Sequence, residues 1–345
     1  AVARMLSNAG FRCSIVMLFK ENELSEECRI NLNRLQQTVG LCSVDNITLT
    51  EDTIIIDAIL GTGIGGDIRE PALSVIRLIN SSGCEIISID LPSGMKTEFG
   101  NDSKKIVHAH TTLTLQFPKL AMLLPEAGEC CGEIIILPIE LHPEYIENQE
   151  TVYNYVDDTF ISHFKQSRQK FSHKGNYGHA LLVCGSDRML GAGILSTSAA
   201  LRSGCGLVSL HAPQSGAAAI FASCPSAVLN PDPGDSFTQV PDNLSSYSNC
   251  GIGSGLGQSE QTVAALRQLF HTFEKPMVID ADAINIISYN REMIKDIPAG
   301  SILTPHSGEL RRLIGEWGSD KDKLRKASDF AVETMSVVVV KGAYT

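Results

Sequence analysis

Apolar and polar positions fall in blocks along the chain, and the blocks switch repeatedly between strand-like runs and helical stripes. Residues 13–19 (CSIVMLF), 53–60 (TIIIDAIL), 84–91 (CEIISIDL), 111–117 (TTLTLQF) and 132–139 (GEIIILPI) are short apolar runs that predict buried strands. Amphipathic spacing over 23–38 and 72–81 predicts helices between them. Strands apolar on both faces and separated by helices predict a parallel sheet covered on both sides, so the first domain is expected to be doubly wound.

The pattern breaks over 140–174, which is polar and aromatic without a clean period, and the expected domain boundary lies near 150. The alternation then resumes: strand 179–185, helix 191–203, strand 206–213, an Ala-rich segment, a short strand into 251–257 and helix 259–273. Strands in PMVIDA and SILTP, helices 307–315 and 321–334 and a final strand in SVVVVKG complete a second α/β domain, 151–345. There is no internal repeat, and the short Ala cluster at 217–219 is the one low-complexity tract.

With 345 residues, 43% of them hydrophobic, the chain can bury the cores of about two domains. Its 29 glycines suit many tight strand-to-helix turns. A formal charge of −11 without a Lys/Arg block argues against a nucleic-acid partner, because phosphate-backbone binding needs clustered positive charge. No stretch is long and apolar enough for a membrane helix, and the ten cysteines form no C-x-x-C pair and sit mostly in apolar runs. A soluble protein of the reducing cytoplasm is expected, with no membrane partner. The first residues read as a helix already under way and the last as a strand with nothing to cover it, which predicts a fragment of a longer protein.

Candidate chemistry gathers where strands end. Asp57 closes one apolar run and is followed by a glycine-rich loop; Asp90 closes another, before Pro92, Ser93 and Gly94. Glycines at 61, 63, 65 and 66 can let successive N–H groups face an anion such as a phosphate, or can serve a plain tight turn. The Gly61-x-Gly63-x-x-Gly66 string also fits the dinucleotide fingerprint, but Pro71 suggests that the helix starts too late for it. For the two aspartates a cationic or hydrogen-bonding partner is required, since a carboxylate is costly to bury alone.

In the second half, Lys174, Gly175 and Gly178 precede a strand, and a small-residue helix is expected to offer free N–H donors near Gly191 and Ala192. Residues 251–257 form a glycine-rich turn, Asp280, Asp282 and Asn285 follow a strand, and His306 and Glu309 sit where Pro305 breaks a strand into a helix. Each has a plainer explanation, His306 as a backbone-satisfied helix start and Glu309 as a complement to the helix dipole. All could line one crevice.

The strings DAILGTGIGGDIREP, IISIDLPSGM and HAHTTLTLQFPKLAMLLPEAGECCGEIIILPI resemble the NAD(P)H-hydrate epimerase domain. The series HKGxxG, GAG…AALRSGCGLV, GxGLG, DADAIN, LTPHSGEL and VVVKGAYT resembles the ATP/ADP-dependent NAD(P)H-hydrate dehydratase domain. Together they identify the chain as resembling the bifunctional NAD(P)H-hydrate repair enzymes. The resemblance implies a Rossmann-like three-layer αβα domain over 1–150, followed by a ribokinase-like α/β domain over 151–345.

By the same resemblance Asp57 and Ser93 bind potassium, Gly61, Thr62, Gly63, Ile64, Gly65, Gly66 and Asp67 hold substrate phosphates, and Asp90 contacts the hydrated nicotinamide as the catalytic group of the epimerase. Ala192, Gly255 and His306 contact the hydrated dinucleotide, and Lys341, Gly342, Ala343, Tyr344 and Thr345 begin the site for ADP or ATP. Asp282 and Asn285 shape the phosphate or metal environment, and Glu309 helps hold Mg2+ through water. The Asn-Asn-Gly-Gly-Asp loop expected before residue 1 and the Gly-x-Gly-Asp loop with the dehydratase base expected after Thr345 do not occur within the chain, so binding is expected to outlast turnover. Fusion of the two domains leans towards ADP, and a homo-oligomer is expected. The alternative is an ATP-dependent kinase of a small alcohol on the same ribokinase-like scaffold, which leaves the first domain unexplained.

Overall fold

The computed structural model describes residues 1–345 apart from 20, 36–38, 51, 65 and 165–166, and it divides into two compact units, Ala1–Asp157 and Asp158–Thr345. Unit 1 contains strands β1 (Ser14–Val16), β2 (Gly40–Cys42), β3 (Ile54–Asp57), β4 (Glu85–Ile89), β5 (Thr111–Leu115) and β6 (Glu133–Leu137). Its helices are α1 (Val2–Asn8), α2 (Glu26–Asn33), α3 (Ala72–Asn80), α4 (Pro125–Gly128) and α5 (Pro143–Glu147). Strands β3-β4-β5-β6 lie side by side in that order, all parallel, and β1 and β2 form a separate parallel pair.

Helix α3 shows why its sequence folds this way. Val75, Ile76 and Ile79 fall on one face and pack with Ile86 and Val107, each burial worth about 1.5–3 kcal/mol. A charge at Ile76, which is fully buried, would break that contact. The helix expected over 23–38 is shorter than its periodicity suggested: α2 ends at Asn33, and 36–38 lie outside the described residues.

Unit 2 contains α6 (Asp158–Ser162), β7 (His179–Val183), α7 (Leu190–Arg202), β8 (Leu207–Pro213), α8 (Ala217–Ser223), β9 (Val228–Asp232), β10 (Asn249–Ile252), α9 (Glu260–Thr272), β11 (Met277–Ile279), α10 (Ala281–Tyr289), β12 (Ile302–Leu303), α11 (Ser307–Ile314), α12 (Asp320–Glu333) and β13 (Val337–Val338). One seven-stranded parallel sheet runs in the order β13-β12-β11-β10-β7-β8-β9. From β7 the chain winds outward through β8 and β9, then returns to the other side of β7 and winds outward again from β10. The reversal falls between β7 and β10, where diverging connections open a crevice at the carboxyl edge. Leu181, Val183, Ile252, Leu266, Ile279 and Leu303 lie in the main core cluster beneath it.

Beyond β8 and β9 a buried polar cluster fixes the following loop. His211 Nε2 lies 3.0 Å from Asp232 Oδ2, and Asp232, with no exposed surface, also accepts from the backbone N–H groups of Gly234, Thr238 and Gln239 at 2.8, 2.8 and 3.2 Å. The Asp235 carbonyl then accepts from Asp187 N–H at 2.9 Å, tying this loop to the approach to α7. Among the described residues no helix is long and apolar enough to cross a membrane.

Candidate functional sites at two sheet edges

In unit 1 the carboxyl ends of β3, β4 and β5 are neighbours, which brings Asp57, Asp90 and Ser93 to one edge. Asp57, 1% exposed, stands opposite Ser88 in the strand register and accepts from Ser88 Oγ and from Ser93 N–H, both at 2.7 Å. Ser93 Oγ in turn accepts from Leu60 N–H at 2.9 Å. Asp57 accepts hydrogen bonds from neutral donors, and no ion pair among the described residues includes it. A buried carboxylate compensated in this way, beside a hydroxyl and backbone carbonyls, is the kind of oxygen set that suits a hard monovalent cation.

Asp90 sits at φ 70, a left-handed conformation uncommon for a side-chain-bearing residue. Its carboxylate accepts from Leu115 N–H at 3.1 Å and forms a close ion pair with Lys119, whose ammonium also reaches Thr114 Oγ1 at 3.0 Å. Lys119, inside one of the quoted strings but not singled out there, is thus the cation that Asp90 required. The signal was available, as the one Lys in the segment following β5 before α4.

Loop 61–67 lies between β3 and α3, with Gly65 outside the described residues. Gly61, Gly63 and Gly66 are not at positive φ and nothing lies within 4 Å of where a Cβ would stand, so the fold itself does not demand glycine there. Asp67 is largely exposed, with Lys105 at 4.0 Å. Helix α3 begins only at Ala72, just after Pro71, too late for the dinucleotide fingerprint, as the position of that proline suggested.

In unit 2 the carboxyl edge of the sheet, from β7 to β13, carries residues from five segments. A Cβ on Gly255 would lie 3.0 Å from Ala192 Cβ, placing the 253–257 turn against the start of α7. The Ala192 N–H, expected to be free, instead donates to the Met189 carbonyl at 3.1 Å. At β11, Asp280 accepts from Ser254 Oγ at 3.1 Å, from Thr304 Oγ1 at 2.7 Å and from Lys341 Nζ at 2.7 Å. Burial alone would raise the Asp280 carboxyl, but the hydrogen bonds from Lys341 and Thr304, the Lys341 charge and Ser254 outweigh it and hold it below the usual carboxylate range. Gly253 is required here: it has φ +136, and a Cβ would meet the Asp280 carbonyl oxygen at 1.8 Å.

His306 and Lys341 are joined by a parallel bridge, with Lys341 N–H donating to the Pro305 carbonyl at 2.9 Å, so the segment Lys341–Thr345 leaves the sheet beside α11. His306 caps α11: its Nδ1 accepts from Gly308 N–H at 2.9 Å, while Glu309 Oε2 accepts from His306 N–H at 2.9 Å. The plainer role considered for each is therefore occupied, although the His306 ring remains half-exposed. Asp282 closes the glycine turn, accepting from Gly257 N–H at 2.9 Å and Gln258 Nε2 at 3.0 Å, and Asn285 meets Arg312 at 2.7 Å. Lys174 and Gly175 lie in the turn before β7, at the opposite end of that strand from the crevice. Among the described residues no group of three or more His, Cys, Asp or Glu is placed to hold a metal ion.

Residues 1–121 match the family described as YjeF-related protein N-terminus, and residues 180–345 match the family described as NAD(P)H-hydrate dehydratase. The bifunctional NAD(P)H-hydrate repair enzyme Nnr of Pyrobaculum aerophilum is 33% identical over 362 residues, covering 99% of this chain and 69% of that protein. The chain belongs to the bifunctional NAD(P)H-hydrate repair enzymes. Its relative from Escherichia coli is 30% identical, covering 100% of this chain and 66% of that protein, and the one from Moorella thermoacetica is 28% identical, with 100% and 68% covered. The chain thus spans about two thirds of these repair enzymes. The ADP/ATP-dependent NAD(P)H-hydrate dehydratase from Bacillus subtilis, co-crystallised with ATP/Mg2+, is 29% identical with a TM-score of 0.45, covering 54% of this chain and 65% of that one. The two family matches take in both sheet edges, with Asp57, Asp90 and Lys119 in one and the Asp280 cluster in the other.

Proposed function

We propose that unit 1 interconverts the R and S hydrates of NADH and NADPH and that unit 2 dehydrates the S form at the expense of ADP or ATP. The observation that supports the reading of unit 2 is that Ala192 and Gly255 meet at the β7/β10 switch point, where open parallel sheets bind ligands, and that Asp280 links the neighbouring Ser254 to Lys341 beside His306 along the same carboxyl edge. Ala192, Gly255 and His306 receive the hydrated dinucleotide, and Lys341 to Thr345 receive the nucleotide. The hydrate carries a hydroxyl, a poor leaving group; phosphoryl transfer from the nucleotide turns it into a phosphate ester, and departure of phosphate together with loss of a proton from the adjacent ring carbon restores the dihydropyridine. The chain's part is to align hydroxyl and terminal phosphate and to offset developing charge with Lys341.

In unit 1, Asp90 acts on the hydrated ring, held by Lys119, and the 61–67 loop receives the substrate phosphates. Potassium, held by Asp57 and Ser93, supplies positive charge beside the buried carboxylate. The carboxylates of Asp280, Asp282 and Glu309 each already accept bonds from the protein, so magnesium would enter bound to the nucleotide phosphates. ADP as donor, a cytoplasmic location and a homo-oligomer belong to the same proposal.

The test follows recovery of reduced-cofactor absorbance from hydrated NADH, with and without nucleotide, in the full-length protein. Nucleotide-dependent recovery, abolished by Lys341→Met, is expected. An enzyme that left the hydrate untouched yet phosphorylated a small alcohol would establish the kinase alternative instead.

A further inference from the structure

We infer that Asp280 is a positioning residue that couples the two ligand-contacting segments of unit 2, holding Lys341 with one carboxylate oxygen and the Ser254–Gly255 turn with the other. The inference rests on the proposed roles of Lys341 and Gly255, and no role has so far been given to Asp280 itself.

The geometry divides the carboxylate cleanly. Oδ1 accepts from Thr304 Oγ1 and Lys341 Nζ, both at 2.7 Å, and Oδ2 accepts from Ser254 Oγ at 3.1 Å. Asp280 follows β11, whose neighbours are β10 and β12, so one side chain reaches three consecutive strand ends and the segment after β13. Its backbone is locked as firmly as its head group. Asp280 N–H donates to the Ile252 carbonyl at 2.9 Å, Gly253 presses on its own carbonyl, and Ala281 is at φ 48. The carboxylate therefore has little freedom to follow a wandering lysine; it fixes the lysine instead.

A lysine needs that help. Its four-carbon stem is flexible, and an ammonium that must meet a phosphate loses rotamer entropy on doing so unless it is already held. One of its three donors is spent on Asp280, leaving two for an anion. The competing carboxylate is Glu309, 4.0 Å from the same ammonium and itself held by His306 N–H. Without the charge on Asp280 the ammonium would turn to Glu309, towards α11, and the Ser254 hydroxyl would lose its acceptor at the same time. Asp282, two residues on, faces Gly257 and Gln258 and does not share this task.

The experiment is a double-mutant cycle on the 345-residue chain with Asp280→Asn, Lys341→Met and the pair, reading dissociation constants for ADP and for the S hydrate of NADPH by titration calorimetry. Each single variant is expected to weaken ADP about tenfold, and the pair no more than about twofold beyond Lys341→Met alone, because the effect of Asp280 on ADP passes through the lysine. Asp280→Asn is also expected to weaken the hydrate about threefold, and to do so whether or not Lys341 is present, through Ser254. A merely structural role would lower the thermal midpoint and weaken ADP equally in both backgrounds. Additive effects on ADP, or an Asp280→Asn variant unchanged for both ligands while Lys341→Met loses ADP, would overturn the inference. If Lys341→Met leaves ADP unaffected, the nucleotide role of Lys341 falls and the coupling falls with it. Should Asp280→Asn not fold, Thr304→Val, which removes one bond to the oxygen that holds Lys341, carries the ADP arm of the cycle with the same non-additivity expected and the hydrate unchanged.

Discussion

Replacing Asp232 by alanine removes one acceptor from under five donors. Oδ1 holds Gly234 N–H at 2.8 Å and Thr238 Oγ1 at 2.5 Å; Oδ2 holds Thr238 N–H at 2.8 Å, Gln239 N–H at 3.2 Å and His211 Nε2 at 3.0 Å. A buried donor left without an acceptor costs about 1–3 kcal/mol, but part of 233–239 is near enough to solvent for water to replace some bonds. His211, 2% exposed, has no such recourse, so the cost centres on it and totals about 3–5 kcal/mol, as for a buried pair broken from one side. Asparagine keeps one acceptor oxygen but turns an amide N–H towards other donors, and should cost about 1–3 kcal/mol. Urea unfolding read from Trp317, the chain's single tryptophan and part of unit 2, measures both. Acid supplies a second arm. Burial would raise the Asp232 carboxyl, but the hydrogen bonds from the Thr238 side chain and from the N–H groups of Thr238, Gly234 and Gln239 outweigh it and hold it below its ordinary value. Its contribution is therefore complete above the unfolded carboxyl pKa of about 3.9 and lost as pH falls through the lower folded value. The wild type should lose stability there that Asp232→Asn does not. An alanine variant within about 1 kcal/mol of wild type at neutral pH, or an asparagine variant with unchanged acid dependence, would refute the reasoning.

Gly253→Ala should destabilise unit 2 by about 3 kcal/mol or more, since it combines a left-handed φ with a Cβ driven into the Asp280 carbonyl; the same urea transition reads it. Ellman's reagent at about pH 8 should label Cys28 first, then Cys13, Cys42 and Cys205, and reach Cys84, Cys130, Cys131, Cys184, Cys224 and Cys250 only after denaturant is added. Burial pushes Cys130 and Cys184 up to about 11 and Cys131 to about 12, so the thiolate is scarce even where reagent can enter.

Period and punctuation located most strands because buried parallel strands are apolar on both faces, and the acids that close them are easily seen in such a run. β9 went unread because Val228–Asp232 is half polar and contains Pro231, a residue that sits only at edges; β9 is indeed the edge strand. α10 went unread because Ala283, Ile284, Ile286 and Ile287 are all buried, and the stripe left by Asp282, Asn285 and Tyr289 is too narrow to mark a helical period in nine residues. The strand expected in SVVVVKG pairs continuously at Val337 and Val338, since its partner β12 is equally short, and meets the segment after β12 again at the isolated Lys341–His306 bridge. At the sites, sequence marks which residues can carry chemistry but not what already engages them. Asp282 and Glu309 are taken up by a turn and a cap, whereas Lys119, Ser254 and Thr304 acquire their part only when strands distant in sequence become neighbours.

The crevice of unit 2 is also a seam. Strands β7-β8-β9 and β10-β11-β12-β13 are two half-sheets, each continuous in sequence, and the sheet joins them through the pairing of Asn249–Ile252 with Ala180–Val183, nearly seventy positions away by number. Closing that loop carries an entropy cost that neither half can offset alone. A hydrated dinucleotide touching both Ala192, just beyond β7, and His306, beyond β12, would act as a clasp across the seam, and by mass action occupancy of the site and cohesion of the domain would rise together. In a cell where damaged cofactor accumulates, the substrate would protect the enzyme that removes it.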